Sequence, residues 1–305
     1  MHKHQDRRNY YQNYSGESPE PRRKTKRWRR LFYALILVGC VGLAARTALL
    51  SPQFKAHVAA LSTVTLAKKP APIDQNQLAA QINQAINSSN LEVGASIIDL
   101  TNNQKYDYGL GDTEYLAAST TKLLSASLFL HDVETGQASL SQPLGSSTAQ
   151  AEMQKMIVVS DDTAWEDFNN LLGHPALRQY AQSLGMNSYD PDNNLITSDD
   201  LALFLSSLYQ GKLLNSQHTK LLLSYMSQAD YKQYIGGVIP SGVKFYHKIG
   251  YLEDRVMDAA IIDNGNHPYV LVIFTKDPSG TSYDQTAGLQ AFHSITDATL
   301  SAFAH

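Results

Sequence analysis

Three short runs carry side chains suited to acyl transfer. Ser119-Thr120-Thr121-Lys122 opens an apolar stretch, LLSASLFL, with the composition of a helix. Serine is a weak nucleophile at its ordinary pKa and needs a base beside it. Three residues of helix set Lys122 one turn on from Ser119, on the same face. A lysine serves as a base when burial or a second cation lowers its pKa. Taken alone, S-x-x-K recurs by chance, and a capping serine before a solvated lysine accounts for it equally well. It has company, however. Val159-Ser160-Asp161-Asp162-Thr163-Ala164 supplies a second serine, and His247-Lys248-Ile249-Gly250 sits late in a strand-like run.

Other chemistries find little support. The ten histidines form no H-E-x-x-H pair, and a single cysteine excludes a disulfide framework or a multi-cysteine metal site. His247 reads as a strand residue beside Lys248 rather than a base. No G-x-S-x-G elbow and no phosphate-binding glycine loop is present. The seventeen tyrosines are scattered, with no stacking surface for nucleic acid. Neither a cofactor nor a metal is expected.

The elements that must position these residues follow from periodicity. Residues 73–90 repeat apolar side chains at Leu78, Ile82 and Ile86, a helical spacing. Val93–Leu100 is a β-rich run, followed by a turn signal at Thr101-Asn102-Asn103 and a short strand near Tyr106–Tyr108. Residues 119–230 are mostly helical patterns. Three strand-like runs follow, Val243–Ile249, Val256–Asp263 and Tyr269–Thr275, with Asn264-Gly265-Asn266 as the hairpin turn between the last two. Gln285–Phe303 closes as an amphipathic helix carrying Leu289, Phe292, Ile295, Leu300 and Phe303. No internal repeat appears. This order predicts an α/β (α+β) domain over residues 73–305. Its sheet takes strands from both ends, and a helical lobe is inserted between them.

The three runs, read in order and in these contexts, match the S-x-x-K, S-D-N and K-T-G set. From Ser119 to Lys248 the chain resembles the class A β-lactamase-like family of penicillin-recognising serine hydrolases, over roughly residues 80–303. The resemblance implies an antiparallel sheet flanked by helices, with an all-helical lobe. It implies that Ser119 forms an acyl-enzyme, Lys122 takes its proton, and Ser160 relays a proton to the leaving nitrogen. Lys248 would shape the charge near Ser160 and attract a substrate carboxylate. The backbone N–H groups of Ser119 and Tyr251 would form the oxyanion hole, in a substrate cleft bordered by Asp162, Ile249, Gly250 and Tyr251.

Three departures bear on activity. Asp162 stands where the family has asparagine; its carboxylate favours a charged Lys122 and cannot donate to a substrate carbonyl. Ile249 replaces a hydroxyl residue. The family's acidic E-x-x-L-N pattern is missing, and in Met186–Ser198 the acids are Asp190 and Asp192, which read as turn residues. The expected function is serine hydrolysis through an acyl-enzyme with β-lactams or D-Ala-D-Ala peptidoglycan stem peptides. The alternatives are a D,D-peptidase with poor β-lactam turnover, and a degraded wall-binding module on the same fold.

Charge is divided along the chain. Residues 1–30 hold ten Lys/Arg against three Asp/Glu, and the remainder holds fifteen against twenty-five. An acidic main body excludes a nucleic-acid partner there. The basic run RRKTKRWRR at 22–30 directly precedes LFYALILVGCVGLAARTALL at 31–50, long enough to cross a bilayer. Trp28, Phe32 and Tyr33 fall at an aromatic belt, and Arg46 near the far end can reach the headgroups. The reading is a cytoplasmic tail (1–30), a single-pass membrane anchor (31–50), a linker (51–72) and an extracellular domain (73–305). A lipobox at Leu37–Cys40 and a cleaved signal peptide are the competing readings, and both also place the domain outside. Protease added to intact cells is therefore expected to degrade the domain and spare a small tail fragment. Protection of the whole chain would refute this topology. Release or misprocessing on Cys40→Ser would favour the lipobox.

Overall fold

The computed structural model describes residues 72–304. The basic tail, the anchor, Cys40 and the linker up to residue 71 lie outside the described residues. Among the described residues no helix is long and apolar enough to cross a membrane.

Helix α1 (Gln75–Ser89) starts where Asp74 accepts hydrogen bonds from the backbone N–H groups of Asn76 and Gln77. It buries Leu78 and Ile82, four residues apart as expected. Strands β1 (Glu92–Asp99) and β2 (Lys105–Gly109) follow, then a short β3 (Tyr115–Leu116). The lobe comprises α2 (Lys122–Glu134), the paired β4 (Pro143–Leu144) and β5 (Ser147–Thr148), α3 (Ala149–Val158), α4 (Asp162–Leu172), α5 (His174–Ser183), β6 (Leu195–Ile196), α6 (Ser198–Tyr209) and α7 (Ser216–Gln228). Strands β7 (Lys244–Leu252), β8 (Arg255–Asp263) and β9 (Tyr269–Lys276) and helix α8 (Gln285–Ala302) complete the domain.

The main sheet is antiparallel, in the order β2-β1-β9-β8-β7. The pairing of β1 with β9 joins the two ends of the domain, as the order of elements predicts. Strands β1, β8 and β9 are buried almost continuously because both faces are covered. One face packs under the lobe, where Phe129 and Phe168 meet edge to face at 5.0 Å. The other packs under α1 and α8, where Tyr234 meets Phe292 at 5.1 Å. The expected hairpin turn joins β8 to β9, with Gly265 at φ 86.

Helix α2 is buried from Lys122 to Asp132 on every side. A helix apolar all round is one surrounded by protein, and here it forms the axis of the lobe. The two-residue pairs β3–β6 and β4–β5 have no periodic signature and were not expected. The first has consequences for the site. Phe129→Ala removes a ring from the lobe's centre and should cost about 3–5 kcal/mol of stability. Urea unfolding with an unchanged denaturant slope would check it.

Candidate active site

Ser119 lies in a 3₁₀ turn, Ala118–Thr121, and the α-helix begins only at Lys122. The serine is thus not the helix cap that its position suggests; Thr121 holds that place, without a side-chain capping bond. The turn is entered through Ala118 at φ 47, a conformation that costs an L-residue about 1–3 kcal/mol. Asn194 holds it there. Its amide donates to the Ala118 carbonyl at 2.9 Å and accepts from the Thr121 hydroxyl at 2.6 Å. The Ala117 N–H donates to the Asn194 carbonyl at 2.8 Å, and the β3–β6 pair fixes the approach. On the other side lies Gly250 of β7. A Cβ there would sit 2.7 Å from the Ala117 carbonyl oxygen, so only glycine admits the turn to the sheet edge.

Two buried lysines converge on Ser160. Lys122 is fully buried, and its Nζ donates to the Ser160 carbonyl at 2.6 Å and to Asp162 Oδ1 at 2.6 Å. Ser160 Oγ is 3.4 Å away. Lys248, 1% exposed, has its Nζ 2.8 Å from Ser160 Oγ and 3.2 Å from the Ile249 carbonyl. Ser160 itself sits at φ 61 between α3 and α4, and Asp161 caps α4 by accepting from the Ala164 N–H at 2.8 Å. The Trp165 ring lies under Lys122, 5.4 Å from Nζ to centroid, and its Nε1 donates to Ser125 Oγ.

The electrostatics of the two amines differ. Burial holds the pKa of Lys122 below the ordinary lysine value, and the hydrogen bond and charge of Asp162, with the charge of Asp161, offset this only in part. Burial, helped by the Lys122 charge, brings Lys248 down to about 7, against the pull of Asp258, Asp162 and Asp230. The Asp162 carboxylate is mostly exposed, above the buried Lys122 amine. It meets Lys122 as the sequence suggests.

The other expected residues are placed as follows. Gly250 borders the turn that carries Ser119, and Tyr251 follows it on the edge strand with its own side chain exposed. Ile249 brings only its carbonyl to the site. Its side chain, 5% exposed, belongs to the apolar cluster on the opposite sheet face with Tyr234 and Ile235. His247 is a strand residue, with Nδ1 2.9 Å from Asp258 Oδ1 and Nε2 3.3 Å from the Ala229 carbonyl. Asp190 accepts from Arg178 and Asn193, and Asp192 accepts from Arg178 and pairs with His174, so both serve the loop's own fold. Asn194 and Trp165 were missed by sequence reasoning. Asn194 sits in a loop of alternating polar residues that gave only a turn signal. Among the described residues no cluster of three His, Cys, Asp or Glu side chains is placed to hold a metal ion.

A model of the beta-lactamase enzyme family matches residues 77–303. The chain belongs to that family. Among solved structures, PBP-A is 22% identical and superposes with a TM-score of 0.69, covering 77% of this chain and 98% of that one. A beta-lactamase from Sphaerobacter thermophilus is 26% identical, with a TM-score of 0.66 over 76% and 98%. An ancestral class A beta-lactamase is 19% identical, with a TM-score of 0.68 over 74% and 100%. No curated protein matches by sequence. The fold is therefore that of the class A β-lactamases.

In this β-lactamase-family domain the Asn194 clamp should be worth more than its surface position suggests. Asn194→Ala loses two hydrogen bonds and places alanine at φ 52. A loss of about 1–3 kcal/mol in thermal or urea unfolding is expected, together with slower modification of Ser119.

Proposed function

We propose that the chain is a serine hydrolase or acyltransferase that forms an acyl-enzyme at Ser119 and releases it slowly. Its substrates are β-lactams or D-Ala-D-Ala-type cell-wall peptides, which share an amide carbonyl beside a carboxylate. The observation that carries this reading is the pair of buried lysines on Ser160, beside a strained turn bearing Ser119. Burying two amines costs several kcal/mol, and a fold alone gains little from it. A further support is that PBP-A, in a mutant form, has been captured as an acyl-enzyme complex with penicillin G.

In this reading Ser119 Oγ attacks the carbonyl and the oxyanion is received by the backbone N–H groups of Ser119 and Tyr251. Losing such a donor costs about 10²–10³ in rate. A proton passes through Ser160 to the departing nitrogen. Deacylation then requires an activated water, and general-base help is worth about 10²–10⁴-fold. Asp190 and Asp192 are the acids of the 186–198 loop, and both are committed to Arg178, His174 and Asn193. Slow release of the acyl group follows. With the N-terminal segment as an anchor, the site would work at the outer face of the membrane.

A fluorescent penicillin should label the full-length protein, and Ser119→Ala should abolish labelling. Intact-protein mass spectrometry over time should show a persistent adduct with little free hydrolysed drug. Labelling that survives Ser119→Ala would move the nucleophile elsewhere. Absence of labelling by both penicillin and a D-Ala-D-Ala thioester would leave the degraded wall-binding module as the better reading. Rapid turnover would contradict the slow-release part alone.

A further inference from the structure

Resting on the acyl-enzyme reading above, we propose that the two lysines divide the work in an unexpected way. Lys122 is a fixed ammonium, and Lys248 is the neutral amine that takes the Ser119 proton by way of the Ser160 hydroxyl. This reverses the roles implied by family resemblance, and its origin is Asp162.

The hydrogen-bond pattern carries the argument. An ammonium has three N–H donors and no lone pair. Around Lys122 stand a carbonyl and a carboxylate oxygen, each at 2.6 Å, with Ser160 Oγ beyond at 3.4 Å. The face of Trp165 adds a surface that favours a cation. Every partner suits the charged form. Around Lys248 stand one carbonyl at 3.2 Å and one hydroxyl at 2.8 Å. Among the described residues no carboxylate lies within ion-pair distance of it. A neutral amine fits that pair, donating to Ile249 and accepting from the Ser160 O–H. The chain of bonds then has a single direction, Lys122 N–H to Ser160 Oγ, and Ser160 O–H to Lys248 Nζ.

The surrounding charges agree. Lys248 is faced by Lys122 of α2, Asp162 of α4, Asp230 beyond α7 and Asp258 of β8. Its neighbour His247 turns to Asp258 and the Ala229 carbonyl instead. Two ammonium groups flanking one hydroxyl repel each other. The one without a bonded carboxylate is the first to lose its proton. Burial and the Lys122 charge set that loss at about pH 7.

The proton balance closes. As Ser119 Oγ bonds to the carbonyl carbon, its proton moves to Ser160 Oγ, and the Ser160 proton moves to Lys248 Nζ. When the C–N bond breaks, Lys248 returns a proton through Ser160 to the leaving nitrogen. Lys248 is neutral again, and Lys122 remains charged throughout.

The test uses the full-length protein in detergent, with carbon-13 at the lysine ε positions. Titration by NMR should show Lys248 changing charge near pH 7 while Lys122 stays charged well above it. Assignment uses Lys122→Arg and Lys248→Arg, or the two glutamine variants if an arginine variant fails to fold. Arginine keeps its charge at all working pH values. Penicillin acylation should rise through the same inflection near pH 7. Lys248→Arg should lose about 10²–10⁴-fold in acylation and lose that inflection. Lys122→Arg should retain the inflection. If Lys122 is the resonance that titrates near pH 7, or if Lys122→Arg is the variant that loses the inflection, the assignment is overturned. Should penicillin fail to acylate the wild type, the proposed function falls, yet the lysine titration still decides which amine is neutral.

Discussion

Two lysine amines removed from water beside a single hydroxyl group are the constraint on which this site depends. Neither can keep its charge there without help, because desolvation penalises an ammonium and each raises the cost of the other. The chain resolves the conflict with one carboxylate. Asp162 reaches Lys122 from the first turn of α4, with most of its own side chain still in water. The partner amine has only neutral oxygens in bonding range. That asymmetry makes two otherwise similar groups chemically distinct.

The fold brings together what no single element could. Lys122 comes from the first turn of the buried α2, Ser160 from the break between α3 and α4, and Lys248 from the edge strand β7. The break is braced from behind. His247 and Asp258 couple β7 to β8 and to the Ala229 carbonyl, and the next residue, Asp230, donates its N–H to Val158, two residues before Ser160. Strain concentrates at the same places. Ala118 and Ser160 both adopt φ values that disfavour residues with a Cβ. Each costs about 1–3 kcal/mol, a sum that the Asn194 bonds, the Gly250 contact and the lysine bonds together must offset. Asn194, which clamps the turn, is also at positive φ, whereas Asn90 and Asn103 adopt it in turns elsewhere.

Much of this was legible in the residues. Alternating and continuous apolar runs located the sheet strands, the Asn-Gly turn fixed the β8–β9 hairpin, and the motifs named Lys122, Ser160 and Lys248, whose side chains meet. The proximity of Asp162 to Lys122 followed from the family resemblance, in which Asp162 takes the place of an asparagine. What failed to show was local backbone geometry. S-x-x-K at the head of an apolar run reads as a capped helix, yet the contacts of Asn194 and Gly250 force a 3₁₀ turn instead. These come from residues 73 and 132 positions away from Thr121 and Ala118, so no window of sequence contains them. Ile249 failed differently. Its residue type implies a missing hydroxyl in the cleft, but strand alternation turns its side chain to the opposite apolar face. Trp165 was hidden because a tryptophan within an amphipathic helix signals core packing, and only the arrival of α2 makes it a neighbour of Lys122.

On the function proposed above, the 186–198 loop would separate acylation from hydrolysis within one fold. A loop beside an acyl-enzyme can hold the nucleophile in place, activate water, or do both. Here its polar side chains are divided between its own structure and the first of these tasks. Arg178 and His174 engage its two acids, while the Asn194 side chain reaches the turn that carries Ser119. Hydrogen bonds from Asn193 and Arg178 to Asp190, and from Arg178 and His174 to Asp192, hold both pKa values below the ordinary carboxylate range, and a carboxylate so stabilised is a weaker base. On the function proposed above, the turn that carries Ser119 is held in place by its neighbours, whereas attack by water is supported by none of the loop's acids. The fate of an acyl group on Ser119 then depends on which nucleophile can reach the carbonyl with its own basicity. An amine needs less help than water. That favours transfer over hydrolysis for the same physical reason that makes the adduct persist.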